Sequence, residues 1–102
     1  MSTDTFETSL GHERPPQGWS NALQALWWDA NGNWDKAHSL VQLNEAGRRS
    51  AWVHAYLHRK EGDLSNAAYW YRRSGQPMAT GSLINECRVI AASLLEHSPS
   101  AE

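Results

Sequence analysis

Apolar residues return along this chain at helical steps. Trp19, Leu23, Leu26, Trp27 and Ala30 recur every three or four positions, which predicts an amphipathic helix of about three turns. The "NGN" that follows predicts its stop. Gly32 supplies a left-handed turn residue, and Asn33 can cap the next helix. Trp34, Ala37, Leu40 and Val41 give that second helix one face, closed by Gly47. A third helix opens near Ser50, with Trp52, Val53, Tyr56 and Leu57 as its stripe. "EGD" ends it, Gly62 turning the chain and Asp63 capping the fourth helix, which shows Leu64, Ala67, Ala68 and Tyr71. "SGQP" breaks the fourth at Gly75 and Pro77. From Ser82 to Glu96 the cleanest stripe predicts a fifth helix, through Leu83, Ile84, Cys87, Ile90, Ala91, Leu94 and Leu95. β-Branched residues are few and never alternate with polar ones over a strand's length, so the fold class read from the pattern is all-α.

The first two helices and the next two are one unit written twice. A shift of thirty residues superposes Ala25 on Ala55, Trp27 on Leu57, Gly32 on Gly62, Asn33 on Asp63, Ala37 on Ala67 and Val41 on Tyr71. Small residues facing one another (Ala25 with Ala37, Ala55 with Ala67) let two helices approach closely, which is the logic of a helical hairpin.

"GDLSNAAYWYRRSGQP" carries Gly62, Asp63, Ala67, Tyr71 and Pro77 in order, and "GNWDKAHSLV" carries Gly32, Trp34, Ala37 and Val41. In this, residues 19–77 resemble the tetratricopeptide repeat. The period is thirty rather than the usual ~34, and Gln24 and His54 stand where that family has a large apolar residue. The block "HAYLHRKEGDLSNAAYWYRR" also resembles that of small bacterial proteins, a likeness that implies no function. The resemblance implies two antiparallel hairpins. Since about three repeats are usually needed to close a core, the fifth helix would serve as a cap, or a second copy would cover the open end as a homodimer.

Composition changes this picture little. Among 102 residues, 40% are hydrophobic and 20% charged, as in an ordinary globular domain. Residues 1–18, ended by Pro15, Pro16 and Gly18, read as a flexible tail, 19–96 as one helical domain and 97–102 as a frayed end. A single cysteine, Cys87, excludes an internal disulfide and a cysteine zinc cluster. With no basic leader and no long apolar run, a cytoplasmic location is expected. Charge is uneven. Residues 1–47 hold six acids and two bases, 48–73 six bases and two acids, and 74–102 three acids and one base, so a +4 island lies between acidic flanks.

Three places carry candidate chemistry. The resemblance implies a concave groove from the first helix of each hairpin: Trp19, Ala22, Leu26, Asp29 and Ala30, then Arg49, Trp52, Tyr56, Arg59 and Lys60. The second set, aromatic anchors beside cations, suits an acidic, partly apolar peptide. If the fifth helix or a second copy lies there, Trp52 and Tyr56 are core instead. On the opposite side of the third helix, His54, His58 and Glu61 share a face, and His-x-x-x-His-x-x-Glu could offer three ligands to a divalent metal such as zinc, with His38 or Asp63 as a further ligand. The zinc-protease pattern is absent, because Ala55 follows the first histidine. Ordinary hydrogen-bonded packing also explains the pair, since His58 falls on Trp28 in the repeat. Finally, "YWYRR" interleaves aromatics with arginine, but Trp70 and Tyr71 fall on packing positions and only Tyr69 is expected outside. A sequence pI near 6.2 argues against nucleic acid. No nucleophile elbow or phosphate-cradling glycine loop occurs, so the expected role is a non-catalytic protein–protein interaction or adaptor module, with metal binding as the alternative.

Overall fold

A computed structural model of the chain describes residues 4–43 and 47–97, and among these every regular element is a helix. In order they are α1 (Asp4–Ser9), α2 (Asn21–Ala30), α3 (Trp34–Gln42), α4 (Arg48–Lys60), α5 (Leu64–Ser74) and α6 (Leu83–His97). None is long and apolar enough to cross a membrane. The helix expected from Trp19 begins two residues later, because the Ser20 hydroxyl caps it by accepting from Leu23 N. The helix expected near Ser50 begins at Arg48.

The thirty-residue repeat is repeated as geometry. Gly32 has φ 89° and Gly62 φ 91°, a region that only glycine enters cheaply. Asn33 N donates to Trp28 O at 2.9 Å, and Asp63 N to His58 O at 2.9 Å, so each glycine turn closes the same wide loop over a helix end. The side chains of Asn33 and Asp63 then accept from Lys36 N and Asn66 N, starting α3 and α5. Each three-residue turn folds a helix onto the one before it, α3 on α2 and α5 on α4.

One core runs through both units. Leu23, Leu26, Trp27, Val41, Val53 and Leu57 are fully buried, and α6 adds Ile90, Ala91 and Leu94 from across α2 and α4. Burying side chains of this size contributes about 1.5–3 kcal/mol each. A smaller cluster between α4 and α5 holds Ala51, Ala55, Ala67, Trp70 and Tyr71.

The amino-terminal stretch corrects the expectation of a tail through residue 18. Residues 4–9 form α1, and Phe6 is buried against Trp19, the rings stacked at 6.2 Å. The Trp27 indole donates to Ser9 O at 3.0 Å, and Arg88 of α6 pairs with Glu7 at 3.1 Å. With one large apolar residue in six, α1 is too short to show a period and is held by tertiary contact. At the other end α6 runs to His97, while residues 98–102 of the expected frayed end lie outside the described residues, as do 44–46.

Candidate functional site

The groove expected along α2 and α4 is filled by α6. Trp19, Ala22, Leu26 and Asp29 are buried, and Tyr56 is 3% exposed. Burial pushes the Tyr56 phenol well above its ordinary range, with Cys87 and Asp29 beside it adding to the shift. Arg59 turns inward to Glu86 of α6, Nη1 to Oε1 at 2.8 Å, and also donates to Gly81 O. The Tyr71 hydroxyl donates to the other oxygen of Glu86, so the one buried carboxylate of α6 is held from α4 and α5 together. Lys60 reaches back to the buried Asp29 at 2.9 Å and ties the second hairpin to the first. Of the five residues expected to meet a partner, Tyr56, Arg59 and Lys60 therefore serve contacts within the chain. Arg49 is exposed, and Trp52 is half-buried between the two core clusters. Cys87 lies on the same inner side, where burial, and next the charge of Asp29, push its thiol up to about 11.

The opposite face of α4 is not the polar surface that the pattern suggests. His54 is 2% exposed and His58 6%. The reason is α3, which packs on that face and brings His38 with it. The three imidazoles have centroid separations of 4.8, 5.1 and 5.0 Å. Nε2 of His38 faces Nε2 of His54 at 3.1 Å. His54 Nδ1 is buried and has no hydrogen-bond partner. Burial, then the neighbouring His38 and His58, push the His54 pKa down to about 3, so its ring is neutral near pH 7. Trp34 stacks on His38 at 4.8 Å and Trp70 on His54 at 3.9 Å. The Trp34 indole is itself anchored to Leu57 O at 2.9 Å. Glu61 stands outside the ring cluster and bonds His58 Nδ1 at 2.6 Å. His58, Glu61 and Asp63 also converge, but Asp63 spends its carboxylate on capping α5 at Asn66.

A third feature joins the ends of α4 and α5. Arg48 and Arg49 open α4, and Arg72 and Arg73 end α5. All four are exposed, and no acid among the described residues pairs with them. A Cβ placed on Gly75 would lie 3.8 Å from an Arg48 guanidinium nitrogen, so the two arginine pairs share one end of the hairpin. Gly47 caps α4 without a side-chain bond and no acid sits in the first turn, so no group of α4 itself offsets its positive end. Arg73 lies over the rings of Tyr69 and Trp70 at 5.7 and 5.4 Å. Tyr69 is exposed and Trp70 and Tyr71 are buried, as the repeat predicts. From Gln76 onward the chain borders a cleft of about 320 Å³, lined by Trp52, Met78, Asn85 and Val89 among others.

His38, expected with Asp63 as a further ligand, is the one that α3 brings against His54 and His58. The arginine end was visible as the basic doublets of the charge island. Compared with family models, with curated proteins and with solved structures, the chain matches none.

Proposed function

We propose that the chain is a small non-catalytic interaction module of tetratricopeptide-like hairpins that binds an acidic, partly apolar segment of a protein partner. The observation that carries this reading is the set of four exposed guanidinium groups, Arg48, Arg49, Arg72 and Arg73, that no described acid neutralises. Arginine forks pair carboxylates with two parallel hydrogen bonds, and the start of α4, with no acid in its first turn, adds to the field. The cleft beside Trp52 offers an apolar complement next to this charge, with Met78 and Val89 partly open. With a net charge of −2 and these four arginines gathered at one end of α4 and α5, the chain suits a short acidic peptide better than a polynucleotide.

The test is fluorescence anisotropy with a labelled polyglutamate peptide that carries one tryptophan. Binding should weaken steeply as salt rises. Arg49→Glu with Arg72→Glu should weaken it at least about tenfold with helicity unchanged. Unaltered binding in that double variant, or tighter binding to a single-stranded oligonucleotide than to the peptide, overturns the reading.

A further inference from the structure

The three histidines go beyond an interaction role. We infer that His38, His54 and His58 form a binding site for one divalent transition-metal ion, with Glu61 fixing His58 from behind. One ring nitrogen from each histidine lies within 4.8 Å of the other two. A four-coordinate ion with metal–nitrogen bonds of ~2.0–2.1 Å holds its donors roughly 3.3–3.4 Å apart. His38 and His54 already face each other at 3.1 Å, close to that separation. His58 has to close by no more than about 1.5 Å, a movement within reach of ring rotation and small helix adjustments.

The hydrogen bonding sets the rings for this task. His58 gives its Nδ1 to Glu61, so its Nε2 is the nitrogen left with a lone pair. A carboxylate behind a ligating imidazole fixes the tautomer and raises its basicity, the usual arrangement around histidine-bound zinc. His54 turns its Nε2 towards His38, while its Nδ1 is buried with no protein partner, so no acceptor or donor at Nδ1 fixes the tautomer against a lone pair on Nε2. Trp34 and Trp70 clamp His38 and His54 by stacking, which removes rotamer freedom that would otherwise oppose binding.

The donor set also selects the ion. Three imidazoles without thiolate suit zinc, cobalt, nickel or copper in the divalent state. Calcium and magnesium take oxygen ligands and have no claim on this cluster. Three protein donors leave the fourth position of a tetrahedral ion to solvent or to an added ligand. Glu61, expected as a ligand from its spacing in the sequence, is placed instead one bond further out.

The experiment uses untagged full-length protein stripped with chelator and titrated with zinc or cobalt chloride by calorimetry, with the visible bands of bound cobalt as a second readout. One ion per chain is expected, together with a rise in Tm. His38→Gln, on the least buried of the three rings, should leave helicity native and abolish the cobalt bands. Glu61→Gln should weaken affinity about 10–100-fold, as outer carboxylates do. Wild-type protein that takes up no ion while showing native helicity overturns the inference. So does uptake that His38→Gln and His58→Gln leave unchanged, because the ion is then held elsewhere. Peptide binding at the arginine end is measured separately, so either reading can fail alone.

Discussion

The two hairpins have the same turn and different interiors. On α2 the positions thirty residues before His54 and His58 are Gln24 and Trp28, and the position before Trp70 is Leu40. In the first hairpin this face looks onto the irregular stretch 13–18. Gln24 donates to Trp19 O at 2.6 Å, and Lys36 lies over Trp28 at 4.4 Å. In the second hairpin the same face looks onto α3, which supplies Trp34 and His38. A repeat therefore fixes where a face lies, and the preceding element decides what it becomes. Where that element is a loop, the face is closed by a backbone contact and a cation. Where it is a helix with its own aromatic pair, the face becomes a packed imidazole cluster.

Deepest in this comparison are Trp27 and Leu57, thirty apart and both fully buried. Trp27→Ala should cost about 3–5 kcal/mol and Leu57→Ala about 2–5 kcal/mol by denaturant unfolding. Trp27→Ala should also free α1, because its indole holds Ser9 O, and amide exchange in residues 4–9 would report that. A transplant is more pointed. His54→Gln with His58→Trp rewrites the second hairpin as the first. It should cost about 1–3 kcal/mol from crowding beneath α3, and the double variant should lose all thermal response to zinc. A retained response would mean that the cluster is not what binds.

The turns allow a finer comparison. Gly32→Ala and Gly62→Ala force a Cβ into the left-handed region, and each should cost about 1–2 kcal/mol, equally in the two hairpins. No neighbour lies within 4 Å of either added carbon, so an inequality would come from strain elsewhere. The smallest effect is expected at the caps. Asn33→Ala and Asp63→Ala should each cost about 1 kcal/mol, with Asp63 the larger because it also bonds the Asn66 amide and Ser65. Circular dichroism melts of the two variants side by side would rank them.

Local pattern explains what was legible. Glycine, a capping residue and a helical stripe made α2 to α6 readable, because each depends on neighbours within a few residues. α1 was not readable, since Phe6 gains its stability from Trp19, beyond any local period. The fate of Arg59 and Lys60 was hidden for the same reason. Their partners Glu86 and Asp29 lie 27 and 31 residues away. Two of the three histidines were on view as rings one turn apart, and His38 stood only beside Asp63 as a further ligand until the packing of α3 placed it against them. The sequence offered the groove with its competitor, and in the fold α6 takes it.

The link before α6 has a practical consequence. Residues 76–82 have no helix or strand, and most of them are exposed, whereas α6 is anchored by Ile90, Ala91, Leu94 and the clamp on Glu86. A chain opened at such a link loses covalent continuity without losing a packed element. Expressed as two fragments, cut after Pro77, the protein should reassemble through α6, and recovery of native helicity on mixing the fragments is the measurement that checks it.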